Sequence, residues 1–342
     1  MPPEPFVVIT TIHPITRGIE RFLSMPHLRV ALVGDTATPA YPARERLTFL
    51  GVERQRETGF DLAGRLPFKH YCRKNLGYLW AMREGAAAIY DTDDDNIPYD
   101  HWGFPPFECD LRVAAPGRFA NVYKLFTPST EERIWPRGFP LEEIQSEDPG
   151  EERGDPLPIG VWQGLADGDP DVDAIHRLVF NRLLTFRSRD PVALPAGTYC
   201  PFNSQNTLFQ PRAFPLLYLP ATVSFRFTDI LRGYVAQRCL WASGLHLGFT
   251  AATVAQERNE HDLIKDFRDE IDCYLHIKRL TDCLDALRLS GSPLEDLVTA
   301  YRELARERIV ADEEQGLVEA WARDVEAVTP GPRAAVKKGD AP

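Results

Sequence analysis

The sequence of 342 residues contains no run approaching the roughly 18 uninterrupted apolar residues that a membrane-spanning helix requires. Its first residues, MPPEPFVVITTIHP, lack the charged-then-apolar order of a secretion signal, so a cytoplasmic location is expected. No two of the six cysteines (Cys72, Cys109, Cys200, Cys239, Cys273, Cys283) stand in a C-x-x-C pair. That spacing argues against a zinc knuckle or a disulfide framework, and most of them are expected as reduced core residues. Positive charge is also short, because 39 Lys and Arg against 50 Asp and Glu give a formal net charge of −11. A protein that coats a nucleic-acid polymer or lies on anionic lipid needs a cationic face, and neither partner is expected here. A local basic pocket for a nucleotide phosphate is compatible with that total. No internal repeat is visible.

With 44% hydrophobic, 26% charged and 11% aromatic residues, the chain can bury a core. Its length suits one large domain or two modest ones. Strand and helix patterns alternate over the first hundred residues: a β-branched run Phe6–Ile12, a helix around Thr16–Met25, a strand Leu28–Asp35, a helix around Leu76–Glu84 closed by Gly85, and an apolar strand Ala86–Tyr90. This order implies a parallel sheet wrapped by helices, with ligands at the carboxyl ends of the strands. Residues 142–156 hold seven acidic side chains, one arginine and a Pro-Gly, which marks an exposed loop. A helix is expected at 172–187, strands at 206–211 and 221–227, and helices at about 262–288, 293–308 and 311–327. The working division is 1–255, then C-terminal helices over 256–328, then a disordered tail over 329–342.

The most informative segment is Ile89-Tyr90-Asp91-Thr92-Asp93-Asp94-Asp95-Asn96, an apolar strand that runs into four carboxylates within five positions. Carboxylates that close repel one another and ask for a cation. Alternation in an extended chain would put Asp91, Asp93 and Asp95 on one side and Asp94 on the other. Oxygen-only ligands select a hard divalent ion such as Mg²⁺ or Mn²⁺. A calcium loop starting at Asp91 fails, because Asn96 and Trp102 stand where glycine and glutamate are required. An aspartate-nucleophile phosphatase would pair Asp91 with Asp93, and the spacing permits it. A nucleotide-diphosphate-sugar site would instead use an Asp-x-Asp motif to hold the metal against the diphosphate leaving group.

Asp93-Asp94-Asp95 after an apolar strand resembles the Asp-x-Asp motif of GT-A-fold glycosyltransferases. Four further segments, together with Tyr90–Asn96, resemble the STELLO glycosyltransferase-like family: Arg73-Lys74-Asn75-Leu76-Gly77-Tyr78, Asn121-Val122-Tyr123, Trp135-Pro136-Arg137-Gly138-Phe139-Pro140 and Val223–Arg232. The likeness spans about residues 5 to 275. A fainter likeness, in the Arg-Lys-Asn segment and the triple aspartate, links the chain to reversibly glycosylated polypeptides that act as UDP-arabinopyranose mutases.

The resemblance implies a GT-A-like (Rossmann-like), mostly parallel α/β sheet flanked by helices, with a helical C-terminal extension. It implies metal-dependent transfer of a sugar, with inversion, from a nucleotide-diphosphate sugar such as UDP-glucose to a hydroxyl of a soluble small-molecule or glycan acceptor. Mn²⁺ or Mg²⁺ would be held by Asp93, Asp95 and a third ligand, His261, with His246 and His276 as competitors. Thr10, Thr11, Ile12 and Asp35, at the first two strand ends, would receive the base and ribose, with Asp93 and Asp94 beside them. Arg73 and Lys74 would face the diphosphate from the start of a helix, and Arg137 would be aimed by its turn. Asp229 would be the base that takes the acceptor proton, or a helix N-cap, with Arg232 one turn later orienting it. A sugar-nucleotide mutase, the aspartate phosphatase and a non-catalytic assembly protein with the same fold are the alternatives.

Overall fold

The computed structural model describes residues 4–109, 111–129, 133–146, 149–153, 156–257 and 262–329. The strands among them are β1 (Phe6–Thr11), β2 (Arg29–Gly34), β3 (Leu47–Leu50), β4 (Ile89–Thr92), β5 (Asn96–Pro98), β6 (Arg112–Ala114), β7 (Glu151–Arg153), β8 (Ile159–Gly168), β9 (Val192–Ala193), β10 (Asn206–Phe209) and β11 (His246–Gln256). The α-helices are α1 (Arg17–Leu23), α2 (Val52–Arg56), α3 (Asn75–Arg83), α4 (Val122–Phe126), α5 (Ala174–Phe180), α6 (Thr228–Ala242), α7 (Leu263–Ala286), α8 (Pro293–Arg306) and α9 (Glu313–Val328). Ten strands lie side by side in the order β3-β2-β1-β4-β10-β8-β11-β9-β6-β7, and β5 pairs with β11 outside that row. The block β3-β2-β1-β4 is wholly parallel. Beyond it the sheet is mixed, since β10 runs antiparallel to β4 and β8 while β11 is parallel to β8. The expected α/β class and C-terminal helices are what the chain forms, and the architecture is consistent with a GT-A-like fold.

Side-chain alternation along β1 sorts the two faces of the sheet. Phe6 and Val8 enter the large core with α3 and α6, while Val7 and Ile9 pack with Ile19 and Phe22 of α1. Two glycines set how closely the flanking helices approach. A Cβ at Gly77 would stand 2.6 Å from side-chain atoms of Val8 and Val33, and one at Gly18 would stand 2.4 Å from the Asn96 carbonyl oxygen. The first turn of α1 thereby rests on the chain just after the acidic run, with Thr16 capping it by accepting the Ile19 amide. At the other end of the sequence, Tyr301 of α8 and Trp321 of α9 meet Tyr218, and the apolar residues of these helices belong to the same core as α3 and α6. No helix among the described residues is long and apolar enough to cross a membrane.

Several local expectations change. The helix expected over 172–187 is only the seven-residue α5, because Asn181 adopts a left-handed conformation (φ 36°) and Leu184 then bridges to Gly168. Residues 221–227 form turns, not a strand. The Ala221 and Thr222 amides donate to Glu314 of α9, and the Phe227 and Thr228 amides donate back to the Ser224 carbonyl, so these donors are used before a ladder can form. Within the acidic stretch 142–156, Glu151–Arg153 is β7, antiparallel to β6, and Glu151 pairs with Arg189. Residues 147–148 and 154–155 of that stretch, and 330–342 of the expected tail, lie outside the described residues.

Candidate functional site

The parallel strands β2, β1 and β4 end along one edge of the sheet, and a cleft of about 690 Å³ opens there. Its wall holds Thr10, Thr11, Ile12 and His13 from β1 and the turn after it, and Asp35, Thr36 and Ala37 after β2. Lys69, His70 and Tyr71 enter ahead of α3, Asp93, Asp94 and Asp95 follow β4, Phe225 and Arg226 precede α6, and Gln256 ends β11. Seven residues singled out in the sequence, Thr10, Thr11, Ile12, Asp35, Asp93, Asp94 and Asp95, are thus brought together.

The four carboxylates of the acidic run divide at the end of β4. Asp91 is inside the sheet, in register with Val8 of β1 and Thr207 of β10, and is fully buried. The strand stops at Thr92, so alternation stops with it. Asp93, Asp94 and Asp95 all reach the cleft, so Asp94 is not separated from Asp93 and Asp95 as expected, and it is Asp91 that stands apart. Each of the three is held. The Thr11 hydroxyl donates to the Asp94 carboxylate, and the Gln256 amide donates to Asp95 Oδ2 at 2.9 Å. The Tyr71 hydroxyl and Lys74 Nζ, the latter at 3.2 Å, both donate to Asp93 Oδ1. Burial pushes the Asp93 carboxyl up to about 6, with Asp95 and Asp91 adding to the rise and Lys74 opposing it. Burial also raises Asp94, against the pull of the Thr11 hydroxyl. The Lys74 ammonium is shared, lying 2.7 Å from Asp91 and donating to the Thr92 carbonyl at 2.6 Å, so it does not neutralise the three cleft carboxylates. Burial works against its charge, yet the Asp91 and Asp93 carboxylates outweigh burial and raise its pKa.

Other residues expected at the site lie behind the wall. Arg73 is buried, with its guanidinium on Gln55 and on the Leu66 carbonyl and stacked over Phe68. Arg137 is buried between Asp171, at 2.6 Å, and Asp229, at 2.9 Å. Both carboxylate oxygens of Asp229 accept from that guanidinium, and one also accepts the Ser204 amide at 3.2 Å. Arg232 is buried on Asp91 (3.2 Å), the Asn203 carbonyl (3.0 Å) and Ser204 Oγ (2.9 Å). Asp35 sits in the cleft wall, where its carboxylate accepts the Thr36 and Lys69 amides at 2.6 Å each and so orders two loops. His261 lies outside the described residues. His246, at the far end of β11, and His276, within α7, are not in the wall. Among the described residues no three His, Cys, Asp or Glu side chains converge as a ready metal-ligand set.

Tyr71, Phe225 and Gln256 are wall residues that sequence reasoning did not select. Tyr71 and Phe225 adjoin quoted motifs, being two positions before Arg73 and inside Val223–Arg232, and that adjacency is the signal they carry. Gln256 carries none, because its contact with Asp95 spans 161 residues of sequence.

A parallel sheet edge that presents successive carboxylates to an open cleft is consistent with the GT-A-like class of α/β proteins. Comparison with known proteins then points to a family. A family model described as STELLO glycosyltransferases matches residues 226–331. The chain is 30% identical over 95% of its length to the Arabidopsis thaliana protein named "Probable glycosyltransferase STELLO1", of which the match covers 44%. It is 31% identical over 82% of its length to "Probable glycosyltransferase STELLO2" of the same plant, of which the match covers 39%. A STELLO glycosyltransferase family model thus matches the C-terminal third of the chain, and the chain is similar to those two proteins over most of its own length while spanning less than half of theirs.

Proposed function

We propose that this protein is a metal-dependent glycosyltransferase that moves a sugar from a nucleotide-diphosphate sugar, with a UDP-sugar the first candidate, to a hydroxyl of a soluble acceptor. The observation that carries the reading is the set of three adjacent carboxylates, Asp93, Asp94 and Asp95, in the wall of a cleft at the parallel strand ends. A diphosphate entering there meets like charge, and the approach becomes favourable only with a divalent cation between the two. Asp93 and Asp95 are the residues that would hold Mn²⁺ or Mg²⁺. Two carboxylates suit such an ion, which keeps its other positions for water and phosphate oxygens. When bound, the ion would neutralise charge that builds on the departing diphosphate.

The protein's own contribution is to fix the donors beforehand. Tyr71 and Lys74 orient Asp93, Thr11 orients Asp94, and Gln256 orients Asp95. The nucleoside would lie along Thr10–Ile12 and Asp35–Ala37. Asp229, with both oxygens on Arg137, serves in this reading as an anchor for the segment that carries Phe225 and Arg226, in place of the base expected from the sequence. Thermal denaturation with UDP tests the proposal: a ligand that binds only the native state raises its stability by mass action. UDP is expected to raise the melting temperature with Mn²⁺ or Mg²⁺ and not in EDTA. An equal rise in EDTA would overturn the metal bridge.

A further inference from the structure

Phe225 is 54% exposed although it is a large apolar ring. A single exposed apolar side chain on an open surface needs no explanation. This one lines the acidic cleft and is fixed there, meeting Tyr71 edge-on with ring centroids 5.4 Å apart and planes at 69°. Tyr71 in turn donates its hydroxyl to Asp93. The exposed ring is therefore held one side chain away from the carboxylates that would carry the metal and diphosphate.

The electron-rich face of an aromatic ring is a poor partner for phosphate and a good one for the C–H face of a sugar or for a base. The direction of the segment Lys69–Tyr71 decides between these. Its Lys69 end is tied to Asp35, which accepts the Lys69 amide, and its Tyr71 end is tied to Asp93. Phe225 meets the Tyr71 end, the end tied to a carboxylate that would hold the metal and diphosphate, and not the Lys69 end tied to Asp35. We propose that Phe225 is the platform against which the donor's sugar ring stacks, so that it distinguishes a nucleotide sugar from the bare nucleotide. This inference rests on the donor reading above.

The test is calorimetric titration of wild type, Phe225→Ala and Phe225→Tyr with UDP and with a panel of UDP-hexoses and UDP-pentoses, all in Mn²⁺. For wild type, at least one UDP-sugar is expected to bind more tightly than UDP. Phe225→Ala is expected to leave the UDP affinity within about twofold and to weaken that UDP-sugar about three- to tenfold, the size of an aromatic contact. Phe225→Tyr keeps the ring and is expected to retain the difference. If wild type binds UDP but no UDP-sugar more tightly, or if Phe225→Ala weakens both ligands alike or neither, the platform is overturned while the donor reading stands. If wild type binds neither UDP nor any UDP-sugar, the donor reading itself falls and the platform falls with it.

Discussion

Asp91 and Asp93 stand two residues apart, yet their surroundings are opposite. Below the strand end, Asp91 lies between Lys74 and Arg232, and behind the cleft the same arrangement repeats on a larger scale. There Arg137 joins Asp171 to Asp229 and Arg177 reaches Asp266 at 3.4 Å, while Arg226, itself in the cleft wall, reaches back to Glu270 at 2.6 Å. Against burial, Arg137, Arg226 and Arg177 hold the Asp171 carboxyl well below the usual carboxylate range. Above the strand end, Asp93 and Asp94 are raised. Residue type is the same in both regions, and the nearby cations differ. A buried carboxylate matched by guanidinium groups is a structural tie, whereas a carboxylate that burial and neighbouring carboxylates raise, as they raise Asp93, favours an incoming cation.

The largest expected effect would break the structural side of this contrast. Arg137→Met removes the charge that Asp171 and Asp229 share and leaves two carboxylates buried. Breaking a buried pair from one side costs about 3–5 kcal/mol, so chemical denaturation should show a loss of that order. A loss under about 1 kcal/mol would mean that these carboxylates are matched by other groups or by water. Asp95→Asn probes the other side and should affect binding rather than folding. The change is nearly isosteric, and the melting temperature without ligand should stay close to wild type. Mn²⁺-dependent UDP binding should weaken at least about tenfold to a hundredfold, the range produced by disturbing even the groups that orient metal ligands. Unchanged Mn²⁺ dependence in Asp95→Asn would remove Asp95 from the ligand set.

Much of the frame was legible in the sequence because its signals are local. The β-branched run of β1, the glycine closing α3 and the periodicity of α7 to α9 each declare themselves within one element, and the acidic run declares itself by ending a buried strand. What could not be read is who faces whom. Arg137 meets Asp229 across 92 residues, and Arg232 meets Asp91 across 141. Hydrophobic periodicity carries no information about ion-pair partners, so for Arg137 a structural salt bridge and a substrate contact are equally compatible with the sequence, and for Asp229 a helix cap and a base are. The segment 221–227 has strand composition, but Glu314, some 90 positions later, takes its first amides. Lys74 misled in a different way: its place at the start of a helix suited a phosphate, while the charge it meets is already built into the sheet.

The smallest effect, and the one that sharpens the contrast most, is the pH response of Asp93. Its carboxyl is pushed up to about 6, so between about pH 4, where an unfolded aspartate titrates, and pH 6 the folded protein binds the extra proton. The sign follows directly. In the absence of metal, the contribution of Asp93 to stability is fully present below about pH 4 and is lost as the pH rises through 6. A third of its side chain is exposed, so solvent screens this term and keeps it small. Metal binding runs the other way, because only the ionised carboxylate is a ligand; Mn²⁺ affinity should be complete above pH 6 and fall by up to about tenfold per pH unit below it. Asp93→Asn removes the titrating group, so the difference between wild type and variant in metal-free denaturation should shrink or reverse across pH 4 to 6, while wild-type Mn²⁺ affinity climbs over the same interval. By contrast, Asp229→Asn should leave the Mn²⁺ profile where it is, since that carboxylate faces Arg137 and not the cleft. A wild-type Mn²⁺ affinity that stayed flat from pH 5 to 7 would mean that Asp93 is already ionised throughout, and that Lys74 and Tyr71 compensate it as fully as Arg137 compensates Asp171.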